Sequence, residues 1–107
     1  SKLKIALIVK SSKRRRRAIV KDVATLEQSG LFETVQVLES LHAGHSVDLA
    51  RTACSEFNYI IAVGGDGTLH EVVNGCLRAK QEDFNLTLPA IGILARGTAN
   101  DFIKSVN

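Results

Sequence analysis

The sequence of 107 residues is 45% hydrophobic and 23% charged, with eight glycines and one proline. It predicts one globular domain and excludes a disordered chain, a collagen-like repeat and a disulfide-dense scaffold. Since only 5% of residues are aromatic, the core must consist mainly of Val, Ile, Leu and Ala. The net charge of +3 comes from one basic run, residues 13–17, because the remainder has nine Lys and Arg against eleven Asp and Glu.

The first elements are a strand, a helix and a second strand. An almost uninterrupted apolar run predicts a strand over residues 4–9 that is covered on both faces. Apolar residues at helical spacing from Ile19 to Leu26 predict a helix that stops at Gly30. The basic run before them is interpreted as a solvated loop and first helical turn, and attraction of phosphorylated ligands or anionic lipid stays open. Alternating apolar and polar residues predict a strand nearer an edge over 33–38.

The second half of the chain continues the alternation. It contains a helix over about 47–54, a strand over 59–63, a helix over about 69–77, a polar loop over 78–88, a strand over 90–94 and a final helix from about Thr98. Alternating strands and helices predict parallel pairing through crossovers. The expected fold is therefore α/β, a three-layer α/β/α sandwich with a mainly parallel sheet.

A glycine-rich motif, Gly-Gly-Asp-Gly-Thr at residues 64–68, follows the third strand. Glycines there let backbone N–H groups approach a ligand, and the following helix N-terminus favours phosphate. Thr68 is predicted as the N-cap, with Glu71 completing a capping box. A carboxylate at Asp66 would hold Mg²⁺, accept a ribose or amide hydrogen bond, or take a proton. The alternative is that Asp66 only caps the helix.

A second motif, Gly-Thr-Ala-Asn-Asp-Phe at residues 97–102, follows the last strand, and Arg96 adds a cation beside it. If the two strands are neighbours, both motifs form one cleft at the carboxyl edge of the sheet. The alternative is that Thr98 and Asp101 simply cap the last helix. Neither motif is a dinucleotide fingerprint or a P-loop, so a phosphate site here is of another type.

These two motifs, with residues 40–46 and 49–51, strongly resemble the catalytic domain of the diacylglycerol kinase family, especially its bacterial lipid kinases of the YegS type. The resemblance covers nearly the whole chain. The first motif is shared with NAD kinases and 6-phosphofructokinases, whereas the second singles out lipid kinases. The resemblance implies an N-terminal domain of the NAD-kinase and diacylglycerol-kinase type.

By this resemblance, residues 1–107 are the ATP-binding domain of a longer two-domain kinase that transfers the γ-phosphoryl group of ATP to a lipid hydroxyl. Asp66 is the implied catalytic residue, and Asp101 is implied in a Mg²⁺-linked network, so ATP and Mg²⁺ are the expected cofactors. The implied nucleotide-binding residues are Ser40, Gly64, Gly65, Asp66, Gly67, Thr68, Leu69, His70 and Thr98.

The sequence departs from the family pattern in two places. Lys10-Ser11 stands where the family has Asn-Pro, and Ala95 replaces a proline before the second motif. The family's lipid-binding region, a largely β domain that supplies the general base, is expected beyond Asn107, so we expect no turnover from this chain alone. Two alternatives stay open: a small-molecule kinase of the NAD-kinase type, and a catalytically silent nucleotide-binding domain.

The expected partners are ATP, a lipid substrate and, transiently, a membrane surface, and a homodimer is compatible with the resemblance. Nucleic acid is not expected, because no aromatic residues interleave with the basic run. No apolar run reaches the roughly 20 residues that span a bilayer, and no leader opens the chain, so the expected location is cytoplasmic and peripheral to the membrane. Cys54 and Cys76 are interpreted as free core thiols, and His42 and His45 as parts of a structural loop.

Overall fold

The protein is described by a computed structural model over residues 3–95 and 97–106. Strands and helices alternate in the order β1 (Leu3–Lys10), α1 (Lys13–Gln28), β2 (Phe32–Ser40), α2 (His45–Ala53), β3 (Tyr59–Val63), α3 (Asp66–Glu82), β4 (Ala90–Leu94) and α4 (Ala99–Val106). The strands at 59–63 and 90–94 have the predicted bounds, while β1 and β2 extend by one or two residues at each end.

The four strands form one parallel sheet in the order β2-β1-β3-β4. All three pairings are parallel, and the register places Val9 beside Val63 and Val63 beside Leu94. Strand β2 lies at an edge, as its alternating sequence predicts. Helices α1 and α4 cover one face and α2 and α3 the other, which confirms the α/β sandwich.

The core lies on both faces of β1 and β3, because side chains of successive residues in a strand point to opposite faces. One cluster joins the sheet to α2 and α3 and contains Ile8, Ala50, Ala53, Cys54, Ile60, Ala62, Val72, Cys76 and Ala79. The other joins it to α1 and α4 and contains Ile5, Leu7, Val9, Ile19, Leu26, Ile61, Leu94 and Ala99. Aliphatic residues therefore build this core, as the composition predicts.

Cys54 and Cys76 are free and buried between α2 and α3. Burial raises the pKa of the Cys54 thiol above its ordinary value. Burial also raises the pKa of Cys76, and the neighbouring Cys54 reinforces that effect. Both thiols therefore stay protonated at neutral pH, which agrees with their interpretation as core residues.

The start of α1 and the end of α3 differ from the sequence expectations. The basic run lies wholly within α1, because the Ser12 hydroxyl accepts a hydrogen bond from the Arg15 N–H (3.0 Å) and caps the helix ahead of the run. The expectation of a polar loop from residue 78 was wrong for its first five residues, since α3 continues to Glu82. Buried Ala79 and an ion pair between Arg51 and Glu82 (3.3 Å) hold this last turn against α2.

Gly30 follows the end of α1 with φ +77°, a conformation that glycine adopts without strain, so it ends the helix as predicted. Within residues 3–95 and 97–106, each helix is too short or too polar to cross a bilayer.

Candidate active site at the carboxyl edge of the sheet

The carboxyl ends of the four parallel strands meet at one edge of the sheet. The Ser11 N–H donates to the Ser40 carbonyl (2.8 Å) and joins the ends of β1 and β2. The Gly64 N–H donates to the Leu94 carbonyl (3.4 Å) and joins the ends of β3 and β4. The turns that carry the two sequence motifs therefore lie side by side, which is where open α/β sheets bind ligands.

The turn between β3 and α3 depends on its first two glycines. Gly64 has φ +123°, which a residue with a side chain rarely adopts. Gly65 is extended and is the N-cap of α3, with open space where a Cβ would be. Residues 64–67 are exposed, so the first N–H groups of a 17-residue helix face the edge of the sheet. Such an arrangement favours an anion.

The predicted capping box at Thr68 was wrong. Helix α3 begins at Asp66, so Thr68 lies within the first turn and is buried, and none of the described side chains caps this end. The helix starts earlier because Gly64 and Gly65 complete the turn themselves. Asp66 occupies the first helical position, where its carboxylate is exposed and favourably placed near the N-terminal end of the helix dipole.

A cavity of about 380 Å³ lies on the β2 side of this edge. Its lining includes Lys10, Ser11, Ser40, His42 and Glu71. The Ser40 hydroxyl donates to the His42 carbonyl (3.3 Å), and Ser40 is only 6% exposed. One carboxylate oxygen of Glu71, Oε1, is buried without a hydrogen-bond partner among the described residues. A buried acceptor of this kind suits a ligand hydroxyl or amine.

A larger cavity of about 580 Å³ lies between α1 and the turn after β3. Lys10 and Ser11 line it as well as the smaller cavity, so the end of β1 separates the two. Arg14, Arg15 and Gly64 also line it. Sequence reasoning treated the basic run as a solvated face and missed this cavity, because nothing in the local pattern reports which arginine reaches a turn 49 residues away.

Asp22 is the second residue that sequence reasoning missed. It is 3% exposed on α1, lines the larger cavity, and accepts a hydrogen bond from the Gly97 N–H at 3.2 Å. Gly97 has φ +83°, so the turn of the second motif is fixed both by a glycine conformation and by this carboxylate. The sequence did contain a signal for Asp22, because this charged residue follows Ile19 by three positions and therefore lies on the apolar face of the helix.

The second motif lies beside these cavities without lining either of them. Thr98 directly precedes α4 and donates its hydroxyl to the Ala95 carbonyl, and Asp101 is exposed in the first turn of α4. Arg96 lies outside the described residues. Of the remaining predicted residues, Leu69 packs against the core and His70 is exposed. The predicted site residues therefore share one edge of the sheet, while only Ser40 and Gly64 line its two cavities.

His42 and His45 belong to the loop between β2 and α2. Their rings stack with centroids 4.5 Å apart, and the Leu41 N–H donates to Nδ1 of His45 (2.9 Å). This nitrogen is therefore an acceptor, which places the ring proton on Nε2. The contacts support the interpretation of a structural loop.

Within the described ranges, no group of three or more His, Cys, Asp or Glu side chains could hold a metal ion. Mg²⁺ differs from most protein-bound metals, because it is commonly held by one or two carboxylates together with substrate phosphates. Asp66 and Asp101 are exposed carboxylates in the first turns of α3 and α4, and carboxylate oxygen is the kind of ligand that Mg²⁺ takes from proteins.

Comparisons with known proteins agree on one family. Residues 4–107 match the family model described as diacylglycerol kinase catalytic domain. A diacylglycerol kinase of Bacillus subtilis is 38% identical over 80 residues, covering 70% of this chain and 24% of that protein. A probable YegS-like lipid kinase of Chromohalobacter salexigens is 40% identical over 81 residues, covering 75% of this chain and 24% of that protein.

Solved structures show the same likeness. A putative diacylglycerol kinase of Bacillus anthracis superimposes with a TM-score of 0.70 at 27% identity, covering 95% of this chain and 33% of that one. The chain spans about a quarter of the length of the curated relatives that it matches.

Proposed function

The chain belongs to the diacylglycerol kinase catalytic-domain family, and from this premise we propose that it is the nucleotide-binding domain of a lipid kinase. The proposed reaction transfers the γ-phosphoryl group of ATP to a hydroxyl of diacylglycerol or a related lipid. The observation that carries the proposal is the hydrogen bond from Gly64 to Leu94. It joins two glycine turns side by side at the edge where open α/β sheets bind ligands, and this supports a nucleotide site there.

In the proposed site, the turn after β3 holds the nucleotide phosphates. Gly65 and Gly67 have no neighbouring atom within 4 Å of a Cβ position, so a phosphate can approach the backbone closely. The N–H groups of the first turn of α3 donate to its oxygens. Ser40 and Glu71, on the other side of the Lys10–Ser11 strand end, offer polar contacts to the remaining part of the nucleotide.

Asp66 and Asp101 are the residues that would hold Mg²⁺. When bound, the ion would supply positive charge that neutralises the phosphates. Phosphoryl transfer depends mainly on positioning and charge neutralisation, and the exposed carboxylate of Asp66 at the start of α3 would help to hold the cation. The acceptor lipid and its general base are proposed to be contributed from outside these 107 residues.

A catalytically silent nucleotide-binding domain is the second candidate. The observation that favours it is the end of β1, where Lys10 and Ser11 line both cavities in place of the family's Asn-Pro. A small-molecule kinase of the NAD-kinase type is disfavoured, because the second motif resembles that of lipid kinases.

Calorimetric titration with Mg-ATP tests nucleotide binding, with Gly65→Val as the key variant. Valine suits the extended backbone of Gly65 (φ −99°, ψ −177°), and the Cβ meets open space, so the domain should fold while the side chain blocks the turn. We expect at least about 10-fold weaker binding, since charge-assisted hydrogen bonds to phosphate are lost.

Thr87→Val provides the matched control, because Thr87 is exposed in the loop before β4 and should leave the affinity unchanged. Thermal melting of each variant verifies folding. A folded wild type that binds no Mg-ATP would contradict the nucleotide function. Equal affinities for the wild type and Gly65→Val would show that ATP does not bind at the glycine turn.

A further inference from the structure

The larger cavity is bounded by the first turns of α1 on one side and the turn after β3 on the other. Its charged lining consists of Lys10, Arg14, Arg15 and Asp22. Three cations thus face one acid. The acid is buried and already accepts the Gly97 N–H, so the accessible charge of the cavity is positive.

Arg15 crosses this cavity. Its Nη1 atom lies 3.7 Å from the position that a Cβ on Gly64 would occupy. The guanidinium therefore lies against the first glycine of the phosphate-compatible turn, although its own backbone belongs to α1. A planar guanidinium with five N–H donors can bind two phosphate oxygens at once.

The cations of this cavity lack acidic partners in the described part of the chain. Within the basic run, the ion pair found is that of Arg16 with Glu39 (3.4 Å) on the β2 side. Positive charge in the first turn of a helix is also unfavourable, because the helix N-terminus is itself positive. Binding of an anion with several charges would relieve both repulsions, and this gives the cavity a reason to take up phosphates.

We propose that Arg15 is a phosphate-binding residue, which clamps the di- or triphosphate of the nucleotide against the turn after β3 from the α1 side. The proposal rests on the proposed function and adds to it the residue that compensates for the missing Asn-Pro segment. The ligand chemistry is two or more linked phosphates with adjacent negative charges. A single phosphate of a lipid headgroup shares part of this chemistry, and the experiment separates the two.

The test compares Arg15→Gln with Arg17→Gln. Both variants remove one charge from the same run, but Arg17 is rotated by about 200° around α1 and does not line the larger cavity. Removing a cation from a helix N-terminus does not endanger folding. Calorimetry with ADP, inorganic pyrophosphate and adenosine gives the affinities.

We expect Arg15→Gln to weaken the binding of ADP and of pyrophosphate by about 10- to 100-fold, because a charge-assisted hydrogen bond is lost. Arg17→Gln should weaken the binding of both ligands by less than about 2-fold. Adenosine should bind both variants as it binds the wild type. The affinity of Arg15→Lys for ADP should lie between those of the wild type and Arg15→Gln, because lysine keeps the charge but cannot bind phosphate through two parallel N–H groups.

Equal ADP affinities for Arg15→Gln and Arg17→Gln would overturn the role of Arg15 and leave nucleotide binding intact. Pyrophosphate binding that depends on Arg15, without any ADP binding, would support the phosphate site and overturn the nucleotide function. A wild type that binds neither would overturn both.

Binding to vesicles of phosphatidylglycerol and of phosphatidylcholine tests whether Arg15 instead binds the phosphate of a lipid headgroup. Equal weakening of phosphatidylglycerol binding by the two variants supports the proposal, because a membrane surface senses net charge. A loss confined to Arg15→Gln on these vesicles, with ADP and pyrophosphate unaffected, would overturn it.

Discussion

Asp22 connects the first helix to the second glycine motif through one side chain. Its carboxylate is buried on the apolar face of α1, between Ile19 and Leu26, and accepts the Gly97 N–H at 3.2 Å. A buried carboxylate without a partner would be costly, and an unpartnered N–H at Gly97 would be costly too. The pair therefore fixes α1 relative to the edge where the site lies.

Asp22→Ala should lower the free energy of unfolding by about 1–3 kcal/mol, because it leaves the Gly97 N–H without an acceptor. Asp22→Asn keeps an acceptor oxygen and should lower it by less than about 1 kcal/mol. Urea denaturation of the two variants measures the difference. Equal losses for Ala and Asn would show that the negative charge, which both variants lack, and not the acceptor oxygen that Asn keeps, accounts for the effect.

Helices α2 and α3 lie in close contact at Gly75. A Cβ added there would overlap the Val47 carbonyl oxygen and would lie 2.8 Å from the Ala50 Cβ and 3.0 Å from the Arg51 nitrogen. These neighbours include backbone atoms of α2, which cannot move without shifting the whole helix. The absence of a side chain at Gly75 thus lets α2 and α3 pack together over the sheet, and α3 carries the phosphate-compatible turn at its other end.

Gly75→Ala should therefore destabilise the domain by about 1–3 kcal/mol, as overpacking does, although alanine is the better helix former. Gly67→Ala is the matched control, since Gly67 belongs to the same helix and its Cβ would meet open space. That variant should leave the free energy of unfolding unchanged or raise it by up to about 1 kcal/mol. Chemical denaturation measures the free energy of unfolding of both variants. A Gly75→Ala variant as stable as Gly67→Ala would contradict the close packing of α2 and α3.

Strands were easier to predict than helix ends, for a physical reason. Strand β3 lies between Asn58 and Gly64, and β4 directly follows Pro89, so local sequence signals define their apolar runs. Their parallel pairing follows from the crossover between them. The start of α1 depends on a single hydroxyl, that of Ser12, and the start of α3 on the conformations of Gly64 and Gly65. No periodicity reports such local contacts.

The candidate site also has a part that could be predicted from the sequence and a part that could not. Its position at the carboxyl edge was predictable, because parallel strands bring the ends of β3 and β4 together. Its larger cavity was not, because it depends on Arg15 reaching Gly64 and on Asp22 reaching Gly97. These contacts join residues that are far apart in the sequence, and only the packing of α1 on the sheet creates them.

At the scale of the whole molecule, the described residues form the proposed nucleotide side of a kinase site. Glycine turns, exposed carboxylates and a basic cavity share one edge of a four-stranded sheet. The curated relatives are about four times as long as the part they share with this chain. We propose, from the family resemblance, that a separate, largely β region contributes the acceptor lipid and the general base.

We therefore expect the 107-residue chain to bind Mg-ATP and to transfer no phosphoryl group to a lipid. Transfer requires an acceptor hydroxyl held about 3 Å from the phosphoryl group, and this positioning accounts for a large part of catalysis. Radiolabelled ATP with diacylglycerol, phosphatidylglycerol or NAD as acceptor measures the reaction. Asp66→Ala is the control for background, and any labelled product above its level would show that these residues suffice for catalysis. Labelled NAD in place of labelled lipid would instead favour the small-molecule kinase.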